Sequence, residues 1–593
     1  MPTFQDVLEK WRKTPEHKFK QKDRDLCEQM SSACLEQGES EKVLDFITEK
    51  ENQGVVKAMG VCLLGPLVKE VVKKRRNPVH CQAAVTHIVE TCKPKDVFSA
   101  LLSQLENCDP GVIGETVIYL LPILQKVVMR LGDCTGLGNG VGAVLEAAQK
   151  QMSRLPVPYT QQQEKTDVHG LCRCCSVLLD FTQPFVEMVQ RDKAGRMSSV
   201  KGPVIGKLQA DIVKLCMMSL REPLLQAVLN GPDSAFWNFA SGIMAILPVI
   251  HKPLSVLLFR RAGRRGEEPL SKAATHAEES YACLAYLLFV QLIAMETFPK
   301  IFSPAFVLQC NMDYVSLLLS RKDESWLSKG LELCEKSLEP VEDGSLPVEM
   351  LELRSFYTAP QHLVEIMTDC PMKHVKTKGL HVFQLFIDKL NGEAKHRFFR
   401  CMLKTSQHAG VQGHVIKNIR NQVDPAKSGK VSCWFSGEHL LCLLRLVLCL
   451  PQGAQSDLLN GMDRVMESLN LLRFLLIKEK EQSTTGVWVE LCVLSEGYVK
   501  VLRACLNMSR SYYSAELKTL TENRRNKARA IREAVKMKKP VSEINLKDQK
   551  LSSMSEEEQH QVFQCALVTF DLMDSLVVRI EELMENRGDA QEP

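Results

Sequence analysis

The sequence predicts an all-α protein, a degenerate HEAT/armadillo-like helical-repeat solenoid in two consecutive halves. Apolar residues recur at helical spacing almost throughout, and no alternating apolar runs are bounded by hairpin turns. Aromatic residues make up only 6% of the chain, whereas β-sandwiches usually carry more of them. A chain of 593 residues is also too long for a single core and needs several domains or a repeat array.

The helical spacing is clearest in two stretches of the C-terminal part. Steps of three and four residues place apolar side chains on one face of a helix. The first stretch contains Leu458, Met462, Val465, Leu469, Leu472 and Leu476, and the second Phe563, Ala566, Phe570, Met573, Val577, Ile580 and Met584.

Proline and glycine residues divide the chain into about two dozen predicted helices with short loops. Two helices per roughly 40–47 residues is the spacing of HEAT and armadillo units. The tetratricopeptide and ankyrin signatures are missing, which makes any repeat degenerate. A large irregular all-α protein remains the alternative, because periodicity without self-similarity does not separate the two.

One polar segment, residues 260–275 (RRAGRRGEEPLSKAAT), predicts a hinge between the halves. We therefore expect an N-terminal HEAT-like domain over residues 1–265 and a C-terminal one over residues 276–593. Residues 536–554 are expected to link the body of the protein to its final helix.

The charge and the cysteine content narrow the class of protein and its cellular compartment further. The formal net charge of +4 creates no global field that would select nucleic acid or an anionic membrane. The 22 cysteines lack a disulfide framework spacing, and residues 1–10 lack an apolar signal core. We expect a cytoplasmic protein with nuclear access. We also expect no membrane insertion, since the most apolar stretch, Tyr281–Phe298, is interrupted by Gln291 and Glu296.

Two motifs invite a chemical interpretation. The GLGNGVG segment, Gly136–Gly142, lacks the preceding strand of a dinucleotide site and the Lys-Ser/Thr of a phosphate loop, so we expect a flexible loop. Cys172, Cys174 and Cys175 could form half of a zinc site and, with it, a metalloenzyme. No second pair lies at regular spacing, so buried packing is the favoured role. We expect no enzyme activity, no cofactor and no metal.

A basic segment, residues 523–539, carries eight basic residues and one acidic residue. Arg525, Arg529, Arg532, Lys536 and Lys539 fall on one helical face. This stripe could contact nucleic acid, an acidic protein surface or an import receptor. A solvated charged helix is favoured over these, because no interleaved aromatic residues are present to stack bases.

Several long strings resemble the glomulin family, in collinear order along nearly the whole chain. The resemblance is weakest before Leu26, in residues 260–275 and in residues 523–554. The matching strings are residues 155–159 (LPVPY), 170–186 (GLCRCCSVLLDFTQPFV), 284–291 (LAYLLFVQ), 328–338 (SKGLELCEKSL), 400–424 (RCMLKTSQHAGVQGHVIKNIRNQVD), 468–478 (SLNLLRFLLIK), 486–491 (GVWVEL) and 569–583 (TFDLMDSLVVRIEEL).

The resemblance implies two consecutive HEAT-like halves and a non-enzymatic inhibitor. In that family the C-terminal half binds the RING subunit of cullin-RING ubiquitin ligases and blocks docking of the ubiquitin-conjugating enzyme. The family is also associated with an immunophilin, with a receptor tyrosine kinase and with vascular smooth-muscle development. The competing hypothesis is a helical-repeat adaptor or scaffold that uses the basic stripe 524–539.

Protein–protein interfaces take most of their binding energy from a few aromatic and arginine anchors, which a polar rim surrounds. We applied that criterion to the family-matching C-terminal segments. We expect Val415, Ile419 and Val423 on the core face of one helix, with four polar neighbours outward or at its flanks. The ten RING-binding candidates are Lys417, Asn418, Arg420, Asn421, Trp434, Phe435, Asn470, Arg473, Lys478 and Trp488.

Overall fold

The computed structural model describes most of the chain. The residues outside the description are 1–8, 16–17, 74–77, 132–133, 194–201, 252, 260–271, 425–431, 483–486, 538–554 and 589–593. Side chains are also outside the description at 134–135, 202–203, 272–277, 479–482, 487–488, 530–537, 556 and 586–588.

The fold is all-α, as the sequence predicts. Among the described residues there is no strand, only an isolated bridge between Leu346 and Leu390. Contacts divide the chain into two compact units. The first comprises Met1–Val341 and Met372–Val382, and the second Glu342–Pro371 and Phe383–Pro593.

The first unit contains sixteen of the α-helices found in the described ranges. In chain order they are α1 Gln21–Gln37, α2 Ser40–Thr48, α3 Gln53–Met59, α4 Leu64–Val72, α5 Pro78–Thr91, α6 Pro94–Glu106, α7 Ile113–Arg130, α8 Cys134–Met152, α9 Gln161–Thr166, α10 Leu171–Lys193, α11 Gly202–Ser219, α12 Ala235–Ile250, α13 Leu254–Leu258, α14 Lys272–Phe289, α15 Pro304–Leu319 and α16 Glu324–Leu338.

The second unit contains the remaining described helices, and the division falls inside one of them, α18. The helices are α17 Arg354–Asp369, α18 Lys373–Lys389, α19 Gly392–Thr405, α20 Ala409–Val423, α21 Gly437–Val447, α22 Met462–Gln482, α23 Val487–Met537 and α24 Glu556–Gly588. A short 3₁₀ turn, Cys433–Phe435, precedes α21.

Helices pack on their neighbours and on the next helix but one, which is the arrangement of stacked helical repeats. In the first unit α7 contacts both α6 and α8, and α6 also contacts α8. In the second unit α22 contacts both α20 and α24. Each unit thus forms a helical-repeat core, and the largest fully buried side chains of the second unit are phenylalanines.

The division by contacts falls between Val341 and Glu342, C-terminal to the predicted hinge. Helix α14 follows that hinge and packs on α11 and α16 of the first unit. The predicted domain limits, 1–265 and 276–593, stay a prediction, because most of the hinge, residues 260–271, lies outside the description.

The glycine-rich segment is helical, so the predicted loop at Gly136–Gly142 is wrong. It lies within α8, which packs against α11. A Cβ atom at Gly142 would lie 2.5 Å from the Asp211 Oδ2 atom on α11. The glycines therefore allow close approach of the two helices, and this packing outweighs the poor helix propensity of glycine.

The three clustered cysteines are core residues, as predicted. Cys174 and Cys175 are at most 1% exposed, and Cys172 is 5% exposed. Burial raises the pKa of the Cys172 and Cys174 thiols to about 12. Over the described ranges, no group of three or more His, Cys, Asp or Glu side chains could hold a metal ion. The exposed cysteines of those ranges are Cys401, Cys433, Cys449 and Cys565.

Two helical stretches of the described chain are long and apolar enough, by length and composition only, to cross a membrane. Residues Pro110–Arg130 include α7, whose Val117, Leu120 and Leu124 side chains are fully buried. Residues Glu557–Glu585 belong to α24, which packs on α22 and α23. Packing between helices accounts for the apolar faces that are buried in the two stretches.

Lys329, on α16, is a charged residue inside the first unit. Its side chain is 4% exposed, and its Nζ atom donates a hydrogen bond to the Ala227 carbonyl oxygen at 2.6 Å. Burial lowers the pKa of Lys329 from 10.5 to about 8. The folded state therefore disfavours the protonated form relative to the unfolded state.

We expect Lys329→Met to remove a pH dependence of stability. The folded pKa lies below the unfolded value, so folding releases a proton between these two pH values, and wild-type stability rises with pH through this window. The rise attributable to Lys329 is about 3 kcal/mol. Urea unfolding of both proteins at several pH values from about 7 to about 10.5 measures it.

The exposed Lys322→Met variant controls for the loss of any one lysine. Parallel stability curves for wild type and Lys329→Met over this range would contradict the expectation.

Candidate partner-binding surface

Helices α20 and α22 of the second unit pack side by side and run parallel. A Cβ atom at Gly413 would lie 3.0 Å from the Asp463 carbonyl oxygen near the start of both helices. At their other ends, Lys478 Nζ donates a hydrogen bond to the Val423 carbonyl oxygen at 2.6 Å. Parallel packing of next-but-one helices places equivalent faces of α20 and α22 side by side.

Exposed and half-buried polar side chains of these two helices define a candidate surface, which we call the α20–α22 ridge. Arg420 Nη1 and Glu467 Oε2 lie 4.0 Å apart and join the two helices. Lys417 and Arg473 are exposed, whereas Arg420, Asn421 and Asn470 are half-buried. The ridge comprises Lys417, Arg420, Asn421, Glu467, Asn470 and Arg473, and its charge is predominantly positive.

The structure adds two apolar residues to this surface that the sequence analysis missed. Ile477 is 42% exposed and Phe474 is half-buried. Both follow Asn470 at the spacing of one helical face. That spacing was available from the sequence, but Ile477 lies in a continuous apolar string and resembles a core residue. The ridge therefore combines cationic groups with a small apolar patch.

Asn418, expected outward or at a flank of its helix, is 3% exposed. Its side-chain amide exchanges two hydrogen bonds with the Gln384 amide, at 2.9 and 3.0 Å. Its Nδ2 atom also donates to the His414 carbonyl oxygen at 3.0 Å. Asn418 thereby fixes α20 to the part of α18 that belongs to the second unit.

We expect Asn418→Ala to destabilise the protein by about 1–3 kcal/mol, because the Gln384 amide loses both of its bonds to Asn418. Urea unfolding measures the loss. In a double-mutant cycle with Gln384→Ala, the second substitution should cost less than it does alone. Simple additivity of the two losses would contradict the expectation that the amide pair is coupled.

Trp434 and Phe435 lie in the 3₁₀ turn before α21. Phe435 is 1% exposed, with ring centroids 6.0 Å from Phe399 and 6.1 Å from His396. Trp434 is half-buried, and its ring centroid lies 4.4 Å from that of His439. Phe435 is thus a core residue of the second unit, whereas Trp434 presents part of its ring to the surface.

The last two candidates lie near the junction of α22 and α23. Lys478 is half-buried, and its Nζ atom donates a hydrogen bond to the Val423 carbonyl oxygen. A cationic donor at this position satisfies a carbonyl at the C-terminal end of α20. Trp488 lies in the first turn of α23, and its side chain is outside the description. Contact of any of the ten candidates with a RING subunit stays a prediction.

His414 lies on α20 below the ridge. Burial lowers its pKa, and nearby Lys417 adds to this effect. Its Nε2 atom is buried without a hydrogen-bond partner among the described residues, and its ring centroid lies 6.0 Å from that of Phe383. A neutral His414 leaves the charge of the ridge to its lysine, arginines and glutamate.

Known proteins similar to this chain identify its family. The mouse protein named glomulin is 37% identical over 98% of this chain and 97% of its own length. The human glomulin is 36% identical over the same shares. The chain belongs to the glomulin family. A family model described as an uncharacterised family, YAP/Alf4/glomulin, matches residues 256–559, which include the ridge.

One protein of known structure is similar to this chain at low sequence identity. A circular tandem repeat protein with novel repeat topology and enhanced subunit contact surfaces is 10% identical, with coverage of 98% of this chain and 99% of its own. Its TM-score of 0.21 carries no weight for the fold of this glomulin-family member.

Proposed function

We propose that this chain is a non-enzymatic inhibitor of cullin-RING ubiquitin ligases, which binds the RING subunit and blocks docking of the ubiquitin-conjugating enzyme. The observation that carries the proposal is its membership of the glomulin family over nearly the full length. We further propose a cytoplasmic location with nuclear access. An immunophilin and a receptor tyrosine kinase are additional proposed partners.

The α20–α22 ridge is the proposed contact surface. The docking groove of a RING domain is small and partly apolar, and a rigid helical surface can cover it without any chemistry. Arg473 on the ridge is exposed, and Ile477 supplies apolar area beside it. Apolar contact surrounded by arginine and polar groups is the usual anatomy of a specific interface.

Inhibition of this kind is competitive, because the inhibitor and the conjugating enzyme occupy one surface. Its potency then depends on inhibitor concentration relative to the dissociation constant. Ubiquitin transfer should be measured with a neddylated cullin–RING complex, its conjugating enzyme and the purified full chain. We expect transfer to fall with added chain and to recover with excess conjugating enzyme.

A binding assay with the isolated RING subunit separates two kinds of failure. Undiminished transfer at micromolar chain would overturn the proposal. If the chain binds the RING subunit but excess conjugating enzyme does not relieve the inhibition, the binding part of the proposal stands and the competitive mechanism is rejected.

The alternative is a helical-repeat adaptor that contacts nucleic acid or an import receptor through residues 524–539. The described part of this segment favours accessibility, since Arg525 and Arg529 are exposed on the long helix α23. Arg524 pairs with Glu557 of α24 at 2.6 Å. Lys539 lies outside the description, as do the side chains of Arg532 and Lys536.

Salt dependence tests the nucleic-acid form of this alternative. Binding to RNA or DNA through several phosphates weakens steeply as salt rises. Steep salt dependence that is lost when Arg525 and Arg529 are changed to glutamine would favour the adaptor. If the chain does not bind RNA or DNA at low salt, the nucleic-acid form of this alternative is rejected.

A further inference from the structure

The long helix α23 of the second unit has one face that no described helix covers. Its other side packs on α21 and α24 and includes the buried residues Tyr498, Leu502 and Leu506. The uncovered side carries exposed residues from Val489 to Arg529. Positions that step by three or four residues along this side form a single helical face, about 60 Å long at 1.5 Å per residue. We call it the outer face of α23.

The first part of the outer face is apolar. Val489 and Val493 are 67% and 63% exposed, and Met508 and Tyr512 are more than half exposed. A surface helix normally directs its apolar residues inward, and a contiguous apolar patch on the surface marks an interaction site. The apolar row, all of it exposed, consists of Val489, Val493, Gly497, Val501, Ala504, Met508, Tyr512 and Ala515.

Small residues in the middle of this row leave room for a second helix. A Cβ atom at Gly497 would have no neighbouring atom within 4 Å, and Ala504 carries only a methyl group. The distance between two packed helices depends on the side chains at their contact. The apolar part, about 39 Å long, therefore allows close approach of another helix along its length.

The second part of the outer face is cationic. After Ala515 the same spacing continues through Lys518, Glu522, Arg525 and Arg529, which are all exposed. Three cations and one carboxylate give this part a net charge of +2. The chemistry of the outer face thus changes along the helix axis, from apolar to positive.

Carboxylates of the neighbouring helix α24 do not neutralise the cationic part. Glu557 pairs with Arg524 at 2.6 Å, and Arg524 lies on another side of α23. Glu558 accepts a hydrogen bond from the Ser555 backbone N–H at 2.8 Å, at the start of its own helix.

The charges beside the apolar part are balanced. Glu490 pairs with Arg445 of α21, and Arg503 pairs with Glu581 of α24. Glu496 and Lys500 have opposite charges and lie one helical turn apart near the edge of the face. The net positive charge is therefore confined to the second part.

We propose that the outer face of α23 binds an amphipathic helix of a partner protein. Apolar residues of that helix would cover Val489 to Ala515, and its carboxylates would lie opposite Lys518, Arg525 and Arg529. Docking of one apolar helix face on a helical surface is a common mode of recognition, and the charges would fix the register and direction of the bound helix. None of the six ridge residues lies on α23, so this surface is additional to the proposed RING contact.

The separation of the two parts along the axis favours a helical partner over other partners. A helix that lies on an anionic bilayer has its cations on the polar face, at the same level as its apolar residues. Nucleic acid would contact the cations through phosphates and leave the apolar part uncovered. A second copy of this chain would place like charges together in a parallel pair, and an antiparallel pair would cover only the apolar part.

Fluorescein-labelled helical peptides test the proposal against the full chain. Each has an alanine-based frame, a row of leucines as long as the apolar part, and an end block of glutamate, lysine or glutamine. Every peptide is made with the block at its N-terminal or its C-terminal end. In one of these two orders, we expect anisotropy titrations to show the glutamate peptide binding at least tenfold tighter than the lysine peptide. Equal affinities for the three blocks, or no binding of either glutamate peptide, would overturn the proposal.

Two double variants assign the binding to the two parts of the face. V493Q/M508Q should lower the affinity for the glutamate peptide at least tenfold. R525E/R529E should reverse the preference, so that the lysine peptide binds more tightly than the glutamate peptide. All four side chains are exposed, so the Tm of each variant should stay near that of wild type. An unchanged preference in R525E/R529E would reject the cationic part as the site of the acidic block.

Matched controls carry the same kinds of change elsewhere in the second unit. Val568 and Leu572 are exposed apolar residues of α24, and V568Q/L572Q is the control for the apolar part. Arg400 and Lys404 are exposed on α19, and R400E/K404E is the control for the cationic part. Both should bind the peptides like wild type. Losses as large as those of the outer-face variants would reject this face as the binding surface.

The other partners are tested with the same proteins. The probes are a DNA duplex and vesicles of phosphatidylserine and phosphatidylcholine, and analytical ultracentrifugation reports self-association. We expect each probe to bind more weakly than the glutamate peptide, and the chain to sediment as a monomer at micromolar concentration. Tighter binding of DNA or vesicles that R525E/R529E abolishes, or a dimer that V493Q/M508Q dissociates, would overturn the proposal in favour of that partner.

Discussion

Replacing Lys417 and Arg473 together by glutamate is expected to weaken inhibition of a cullin-RING ligase about a hundredfold. Both side chains are exposed on the α20–α22 ridge. Hot-spot residues contribute about 2 kcal/mol or more each, and two reversed charges should cost about 3 kcal/mol in total. The inhibitor concentration for half-maximal ubiquitin transfer measures the effect, and the dissociation constant for the RING subunit should change in parallel.

A matched variant separates position from net charge. Lys500 and Lys518 are exposed on α23 of the same unit, and K500E/K518E changes the total charge by the same amount. It should inhibit like wild type. Equal losses in the two variants would mean that net charge, rather than the ridge, determines binding. A ridge variant of undiminished potency would place the contact elsewhere on the chain, while leaving the inhibitory function intact.

Phe435→Ala is expected to destabilise the second unit by about 3–5 kcal/mol, the usual cost of removing a buried phenylalanine. Phe435 is 1% exposed and packs against the rings of Phe399 and His396. The loss combines apolar transfer with the cavity left behind. Urea unfolding followed by circular dichroism measures it, and limited proteolysis shows which unit opens first.

Trp434→Ala is the natural comparison, because it lies in the same turn but only half-buried. It should cost about 1–2 kcal/mol of stability. If Trp434 anchors the partner, this variant loses inhibition while remaining folded. A loss of stability in Trp434→Ala as large as that in Phe435→Ala would contradict the assigned difference between the two rings.

Local sequence patterns predicted the helices well, since apolar spacing reports which face a helix buries. The face predicted from Leu458 to Leu476 is buried at Val465, Leu469 and Leu472. The helix itself begins later than Leu458, at Met462. Leu458 is nevertheless 1% exposed, because a residue before a helix can pack on the same core.

Features that depend on distant residues were not predictable in this way. Asn418 is buried by its amide pair with Gln384, which lies on another helix. The helical form of Gly136–Gly142 likewise depends on close packing against α11. The ridge arises only because α20 and α22 lie parallel, and a single helix pattern carries no information about its neighbour. Candidate residues on one face could be listed from sequence, but not their grouping across helices.

The distribution of exposed cysteines allows selective chemical labelling of one unit of this protein. Over the described ranges, the four exposed thiols all belong to the second unit, whereas burial raises the pKa of core thiols such as Cys172 and Cys174 in the first. Thiolates are the reactive form, so a maleimide dye at neutral pH should label the second unit preferentially. Cys433 adjoins Trp434 in sequence. A dye attached to Cys433 would therefore report on binding of a partner protein near this turn.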